Sequence, residues 1–283
     1  MKDLGYYNGA YGPLDEMTVP MNDRVCYFGD GIYEASICEN YNIYALDAHI
    51  NRLYHNASLL EIDIPMVKEE LKNILLEMVH KLDSHSQVVY WQITRGTANR
   101  THFFPENTQA NLWITLRPFR LPDIYKLQKL ITLEDTRFLH CNIKTLNLLP
   151  SVIASQKAKK AGCYEAIFHR SGRVTECSHS NILILKHGVL RTAPTDHLIL
   201  PGIIRAQVLD IAKELRIPVD ETAFSLAELM DADEILVTSS TVLCLIADEI
   251  DANLVCRKDP DTAKAIQDAL LNKYYRETKL SCE

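Results

Sequence analysis

The sequence predicts a mixed α/β protein of two domains, and three observations carry that reading. At 283 residues the chain is too long for one small hydrophobic core. Short runs of strand-forming residues alternate along it with stretches whose apolar residues recur at helical spacing. Pro118-Phe119-Arg120-Leu121-Pro122 sets two prolines at a break between strand patterns, which suits a linker. The expected division is a smaller domain over 1–118, a linker over 119–122 and a larger domain over 123–283.

Composition narrows the classes of function. A hydrophobic fraction of 47% and a charged fraction of 24% describe an ordinary globular protein. The net charge of −7, with no basic stripe, argues against nucleic acid as a partner. No apolar run approaches the roughly 20 residues of a membrane span, and Met1-Lys2-Asp3-Leu4-Gly5 holds no signal core, so no membrane association is expected. Cysteines at 26, 38, 141, 163, 177, 244, 256 and 282 are irregularly spaced and form no Cys-x-x-Cys pair. That pattern lacks the ligand spacing of a zinc site and fits a reducing cytoplasm.

Taken in order, residues 4–20 read as a short strand and turns, with Asn8-Gly9 as a hairpin signal. Gly29-Asp30-Gly31 makes a tight turn. A strand is expected over 43–46, then a helix with Asp47 as its N-cap and Ile50, Leu53, Tyr54, Ala57 and Leu60 inward. Arg52 stands off that stripe and reads as a solvated arginine. A second helix spans 66–82, and strands follow over 88–94 and 112–116. The loop between them is long and polar enough to be functional. In it, Arg100 and His102 leave the same face of an extended segment. Two such donors suit a carboxylate, and equally suit two solvated loop residues.

In the second half a strand is expected over 127–133, then a helix over 147–161 with Leu148, Val152, Ile153 and Ala158 on one face. Pro150 falls in its first turn. Hairpins follow at 166–176 and 182–192, turning at Ser171-Gly172 and His187-Gly188. A helix begins near Ile203, and Ser225 with Glu228 has the capping-box pattern. An apolar strand at 234–237 runs into four hydroxyls, Thr238-Ser239-Ser240-Thr241, and an amphipathic helix spans 261–275.

Three stretches carry candidate chemistry. Ile143-Lys144-Thr145 places one lysine in a run of apolar and small polar residues. Alone it reads as an ordinary wet-faced lysine. Val174-Thr175-Glu176 supplies a carboxylate downstream, and Pro201-Gly202-Ile203-Ile204 a glycine at a helix start. An amine for a Schiff base, an acid for a pyridine nitrogen and a helix N-terminus for a phosphate are what pyridoxal 5′-phosphate requires.

Longer stretches then resemble a known family. Gly29-Asp30-Gly31-Ile32-Tyr33-Glu34, His49-Ile50-Asn51-Arg52-Leu53-Tyr54, Thr94-Arg95-Gly96-Thr97, Ile143-Lys144-Thr145-Leu146-Asn147-Leu148-Leu149 and Gly162-Cys163-Tyr164-Glu165-Ala166-Ile167 are collinear with the class IV, or fold type IV, pyridoxal-phosphate aminotransferases. Within them the chain is most similar to the D-amino acid transaminase branch. The resemblance implies a two-domain fold with a small α/β domain and a larger one whose sheets are barrel-like. It implies that Lys144 forms the internal aldimine and then shuttles the proton between the substrate Cα and the cofactor. It implies Glu176 on the pyridine nitrogen. Arg52, Gly202, Ile203, Ile204, Ser239 and Ser240 are implied around the phosphate, and Tyr33, Arg100 and His102 around the substrate carboxylate. The arginine and histidine would come from the neighbouring subunit of a homodimer, and the substrates would be a D-amino acid such as D-alanine and a 2-oxo acid such as 2-oxoglutarate.

Departures from the pattern are specific. Ile204 replaces a threonine whose hydroxyl would help bind phosphate, and Cys177 and His179 replace small residues after the glutamate. The apolar Ile204 and the Glu176-Cys177 pair lean towards aminodeoxychorismate lyase of the same fold, which eliminates pyruvate. Arg100-Thr101-His102 leans towards the transaminase and away from branched-chain aminotransferase. No metal site is expected, since Cys177 and His179 lack further clustered ligands.

Overall fold

A computed structural model describes residues 3–255 and 257–279. Cys256 and Cys282 lie outside the described residues. The chain divides into two compact units. One runs to Arg120 and takes in Ile143–Asn147 and the chain from Tyr274; the other holds Leu121–Asn142 and Leu148–Lys273.

The first unit is built on an antiparallel sheet. Its strands are β1 (Leu4–Tyr7), β2 (Ala10–Pro13), β3 (Gly31–Glu39), β4 (Asn42–Ile43), β5 (Ser86–Thr94) and β6 (Asn111–Pro118), in the order β2-β1-β6-β5-β3-β4. Asn8 and Gly9 both have positive φ and turn the β1–β2 hairpin. A short helix α1 (Arg24–Phe28) is capped by Asp23, and Gly29 ends it at φ 61°. Helices α2 (Leu46–Leu59) and α3 (Lys68–Lys81) share a core with the sheet. Ile50, Leu53 and Ala57 meet Leu71, Leu75 and Met78 there, with Trp91 and Ile114 from the strands. That is the apolar spacing the sequence shows.

Two local expectations are corrected. The strand before α2 stops at Ile43, and Ala45, in the left-handed region at φ 52°, starts the helix. Asp47 is therefore in the first turn, not at the cap, where it suits the helix dipole and pairs with Lys72 at 2.7 Å.

The second unit carries a larger mixed sheet. Its strands are β7 (Gln128–Glu134), β8 (Glu165–Arg170), β9 (Arg173–Cys177), β10 (Asn181–Lys186), β11 (Val189–Thr192), β12 (Val219–Asp220), β13 (Glu234–Ser239), β14 (Leu243–Ile250) and β15 (Asn253–Leu254). The order is β12-β11-β10-β13-β14-β7-β8-β9, with β15 on β14. β9 ends that order, yet only Ser178-His179-Ser180 separates it from β10 on the other side of β13. The four steps from Cys177 to Asn181 reach at most about 14 Å, so the sheet must curl until its edge meets its interior. The Cys177 N–H donates to Ser180 O at that junction. This is the barrel-like sheet expected of the larger domain.

Helices α4 (Leu149–Lys160), α5 (Ile203–Glu214), α6 (Leu226–Met230) and α7 (Pro260–Lys279) complete the described α-helices. Ser225 and Glu228 form the predicted capping box at α6. The face of α4 is a further correction. Ser151, Ala154 and Ala158 are buried, whereas Leu148, Leu149, Val152 and Ile153 are exposed. Ala154 and Ala158 allow close packing against Ala166 and Phe168, and the bulky side chains are left outside.

Candidate active site

In the first unit, Lys144 sits on a segment that is nearly a further strand of the sheet. Ile32 and Thr145 form a β-bridge, the Tyr33 N–H donates to Lys144 O at 3.0 Å, and the Leu146 N–H donates to Gly31 O at 3.1 Å. Gly31 makes this approach possible, because a Cβ there would stand 2.5 Å from Ile93 O and 2.8 Å from Leu146 Cδ1. Lys144 is half-buried between the buried Ile143 and Thr145. Its Nζ lies 4.2 Å from the centroid of the Tyr33 ring. It has no carboxylate partner among the described residues. Tyr33 in turn stacks on Tyr90 at 5.5 Å.

Arg52 is not solvated. From α2 it forks onto Glu34 of β3, Nε to Oε1 at 2.8 Å and Nη2 to Oε2 at 2.7 Å. His49, one turn earlier, meets Glu34 Oε2 through Nδ1 at 2.7 Å. The Glu34 side chain is wholly buried and that of Arg52 is 9% exposed. Burial pushes the Glu34 carboxyl up, but the Arg52 charge and the Arg52 and His49 hydrogen bonds outweigh it and hold it at about 2. Burial also lowers His49, so a neutral ring donating Nδ1–H to the carboxylate accounts for the contact.

The loop after β5 is anchored at its base. Asp30 takes Arg95 Nε at 2.9 Å and Arg24 Nε at 2.7 Å, and Arg24 also donates to Thr101 O at 2.9 Å. Arg100 and His102 are exposed, and both rest on Phe28, at 5.1 and 5.5 Å from its ring centroid. The structure thus brings these two together and sets Tyr33 beside Lys144.

In the second unit, Glu176 is buried on β9 and held by three donors. Arg137 Nη1 reaches Oε1 at 2.5 Å, while Asn181 Nδ2 and the Leu200 N–H reach Oε2, both at 3.0 Å. Burial raises Glu176 to about 7 against the pull of Arg137. A carboxylate has about four acceptor sites, so one remains for a further donor. Asn181 also donates to Leu200 O at 2.9 Å. Gly202 is the N-cap of α5, and a Cβ there would fall 1.9 Å from Asn181 Oδ1. Gly202 brings no capping side chain to α5, which suits an anion at the first N–H groups of that helix. Ile203 is half-buried and Ile204 is buried. Ser239, Ser240 and Thr241 are half-buried, with Ser239 Oγ 3.4 Å from Thr241 Oγ1. An acid with a spare acceptor, a helix start at a glycine and hydroxyls fit a phosphorylated pyridine.

The profile of the amino-transferase class IV family matches residues 31–250. The chain belongs to the class IV aminotransferases. It is 38% identical over 260 residues to the D-alanine aminotransferase of Listeria monocytogenes, covering 89% of this chain and 90% of that one. It is 36% identical over 275 residues to that of Bacillus licheniformis, covering 96% and 97%. In fold it matches the branched-chain amino acid aminotransferase of Escherichia coli with a TM-score of 0.89 at 21% identity, over 98% and 96% of the two chains. A putative 4-amino-4-deoxychorismate lyase from Legionella pneumophila gives 0.83 at 20% identity, over 92% and 97%. The chain is therefore a fold type IV enzyme and a transaminase.

Sequence reasoning missed Glu34, His49, Asp135, Arg137 and Asn181. The signals available were His49 and Arg52 at i, i+3, which share a helix face, and Asp135-Thr136-Arg137. Among the described residues no cluster of His, Cys, Asp or Glu could hold a metal ion, and none of their helices is long and apolar enough to cross a membrane. His179 is exposed, with Nδ1 3.3 Å from the buried Glu165.

Proposed function

We propose that the chain moves the amino group of a D-amino acid, D-alanine first among them, to a 2-oxo acid such as 2-oxoglutarate, with pyridoxal 5′-phosphate as cofactor. The observation that carries this reading is the 38% identity to a D-alanine aminotransferase across about nine-tenths of both chains. Lys144 would hold the cofactor through its amine, Glu176 would face the ring nitrogen, and Arg52 with Gly202, Ile203, Ile204, Ser239 and Ser240 would hold the phosphate. When bound, the cofactor supplies an electron sink for charge left on the substrate Cα. Lys144 Nζ moves the proton at that Cα; with no carboxylate partner among the described residues, it is not tied down by an ion pair. Glu34 fixes Arg52 in one rotamer, so its charge is pre-positioned. Gly202 lets the α5 start approach an anion closely.

Tyr33, Arg100 and His102 form the trap for the substrate α-carboxylate, which decides which face of Cα meets Lys144. Arg100 and His102 act on the site of a second subunit. That reading is supported by the exposure of both side chains and of Phe103 and Phe104, at 84% and 54%. The exposed Leu148 at the N-cap of α4, with Leu149, Val152 and Ile153 within it, likewise suits a homodimer. The cysteines at 26, 38, 141, 163, 177 and 244 are free, in keeping with the cytoplasm.

Incubation with D-alanine and 2-oxoglutarate should yield pyruvate and D-glutamate. Pyruvate released from aminodeoxychorismate, with no amino transfer from any D-amino acid, would replace this reading with the lyase. Light scattering should give twice the chain mass. Mixed Lys144→Ala and Arg100→Ala subunits should recover activity that neither has alone, and no recovery would confine Arg100 to its own subunit.

A further inference from the structure

Glu176 is gripped by an arginine that no motif picks out. Arg137, three residues past β7, sends Nη1 to Glu176 Oε1 at 2.5 Å. Its other edge closes on Asp135, Nε to Oδ1 at 3.0 Å and Nη2 to Oδ2 at 2.9 Å. The Asp135 side chain is fully buried and also takes Arg170 Nε at 3.2 Å. Arg137 Cζ lies 4.7 Å from the centroid of Phe168. The thiols of Cys141 and Cys177 also lie within electrostatic reach of Glu176.

A guanidinium clamped by a bidentate carboxylate and packed on a ring has little freedom left. It therefore fixes where Oε1 stands. Asn181 and the Leu200 N–H already use Oε2, so the spare acceptor site of the carboxylate is on Oε1 and its direction is set. Arg137 and Arg170 balance Asp135 and Glu176, which leaves the cluster without net charge and able to stay buried.

We propose that Arg137 is a positioning residue that aims the spare lone pair of Glu176 at the cofactor ring nitrogen and keeps the proton between them on that nitrogen. The proposal rests on the pyridoxal-phosphate reading given above. A proton passing from Oε1 to a hydrogen-bonded ring nitrogen moves away from the guanidinium, and a fixed positive charge favours that displacement. A neutral residue in the same volume would leave the proton with the buried acid, whose burial already favours the uncharged form.

Holoenzyme loaded with cofactor labelled with ¹⁵N in the ring tests this. The ring-nitrogen NMR shift is read in the wild type, Arg137→Met, Arg137→Lys and Arg170→Met, with cofactor affinity from equilibrium dialysis. The wild type should show a protonated ring nitrogen. R137M should move it towards the unprotonated position and weaken cofactor binding about tenfold, the low end for a lost charge-assisted hydrogen bond. R137K, keeping the charge without the fork, should restore the protonated signal. R170M, which removes contacts to Asp135 and to the Arg137 carbonyl but keeps the Arg137 guanidinium against Glu176, should displace the signal less than R137M does. An R137M signal and affinity equal to wild type would overturn the proposal while leaving the cofactor assignment standing, and so would an equal displacement in R170M. A wild type that takes up no pyridoxal phosphate would overturn both. Should R137M not fold, Asp135→Asn must displace the signal in the same direction, and an unmoved signal there overturns the proposal.

Discussion

Replacing Glu34 with glutamine should cost about 3 kcal/mol of folding stability at pH 7. The carboxylate is wholly buried and neutralises an arginine whose side chain is 9% exposed. Glutamine keeps the shape but brings no charge, and its amide nitrogen faces donors where Oε2 accepted them. Removing one partner of a buried pair typically costs about 3–5 kcal/mol. A second route gives a similar figure. Glu34 is held at about 2 against an ordinary 4.5, a gap worth about 3 kcal/mol of preference for the folded state. The sign follows from that lowering. The contribution is fully present above pH 4.5 and is lost as pH falls through 2. Urea unfolding of wild type and Glu34→Gln between pH 2 and 7 measures both quantities. The wild type should lose this stability across the lower half of that range, and the variant should lack that component. A variant within about 1 kcal/mol of wild type at pH 7, or with an unchanged acid slope, would refute the reasoning.

Further outcomes are expected elsewhere. Lys144→Ala should leave no amine for borohydride to fix a pyridoxyl group on, and activity should fall to background; mass spectrometry of the reduced protein checks this. Gly202→Ala should displace Asn181, since the added carbon lies 1.9 Å from Asn181 Oδ1. Overpacking of this kind costs about 1–3 kcal/mol, and a crystal structure with Asn181 unmoved would refute it. Glu176, raised to about 7 by burial, has the opposite pH sign to Glu34. Its favourable share is complete below pH 4.5 and lost as pH rises through 7. Stability of the cofactor-free protein should thus fall across that window in the wild type and not in Glu176→Gln, as thermal melts would show.

Local order was legible where it depends on neighbours in sequence. The Asn8-Gly9 turn, the stripes of α2 and α3 and the capping box at Ser225 each follow from residues a few positions apart. The face of α4 was not, because it was settled by the small residues Ala154 and Ala158 fitting Ala166 and Phe168 rather than by where its bulky side chains fall. The same division runs through the candidate site. Lys144, Arg52 and Glu176 can be picked out by motif, but the groups that hold two of them cannot. Glu34 meets Arg52 only because β3 faces α2, and Arg137 meets Glu176 only because the chain beyond β7 passes β9. Charge partners fixed by tertiary packing leave little trace in spacing.

Gly31 has a consequence for how this protein can vary. A single methyl group there would collide with the backbone of β5 and with Leu146, so in a library carrying every amino acid at position 31, survivors other than glycine should be absent or very rare. Tyr33, two residues on, is half-buried and stacked on Tyr90, with no backbone collision of that kind around its side chain among the contacts described. Evolution towards new substrates would then proceed by changing side chains around a lysine whose backbone is locked by an atom that is not there.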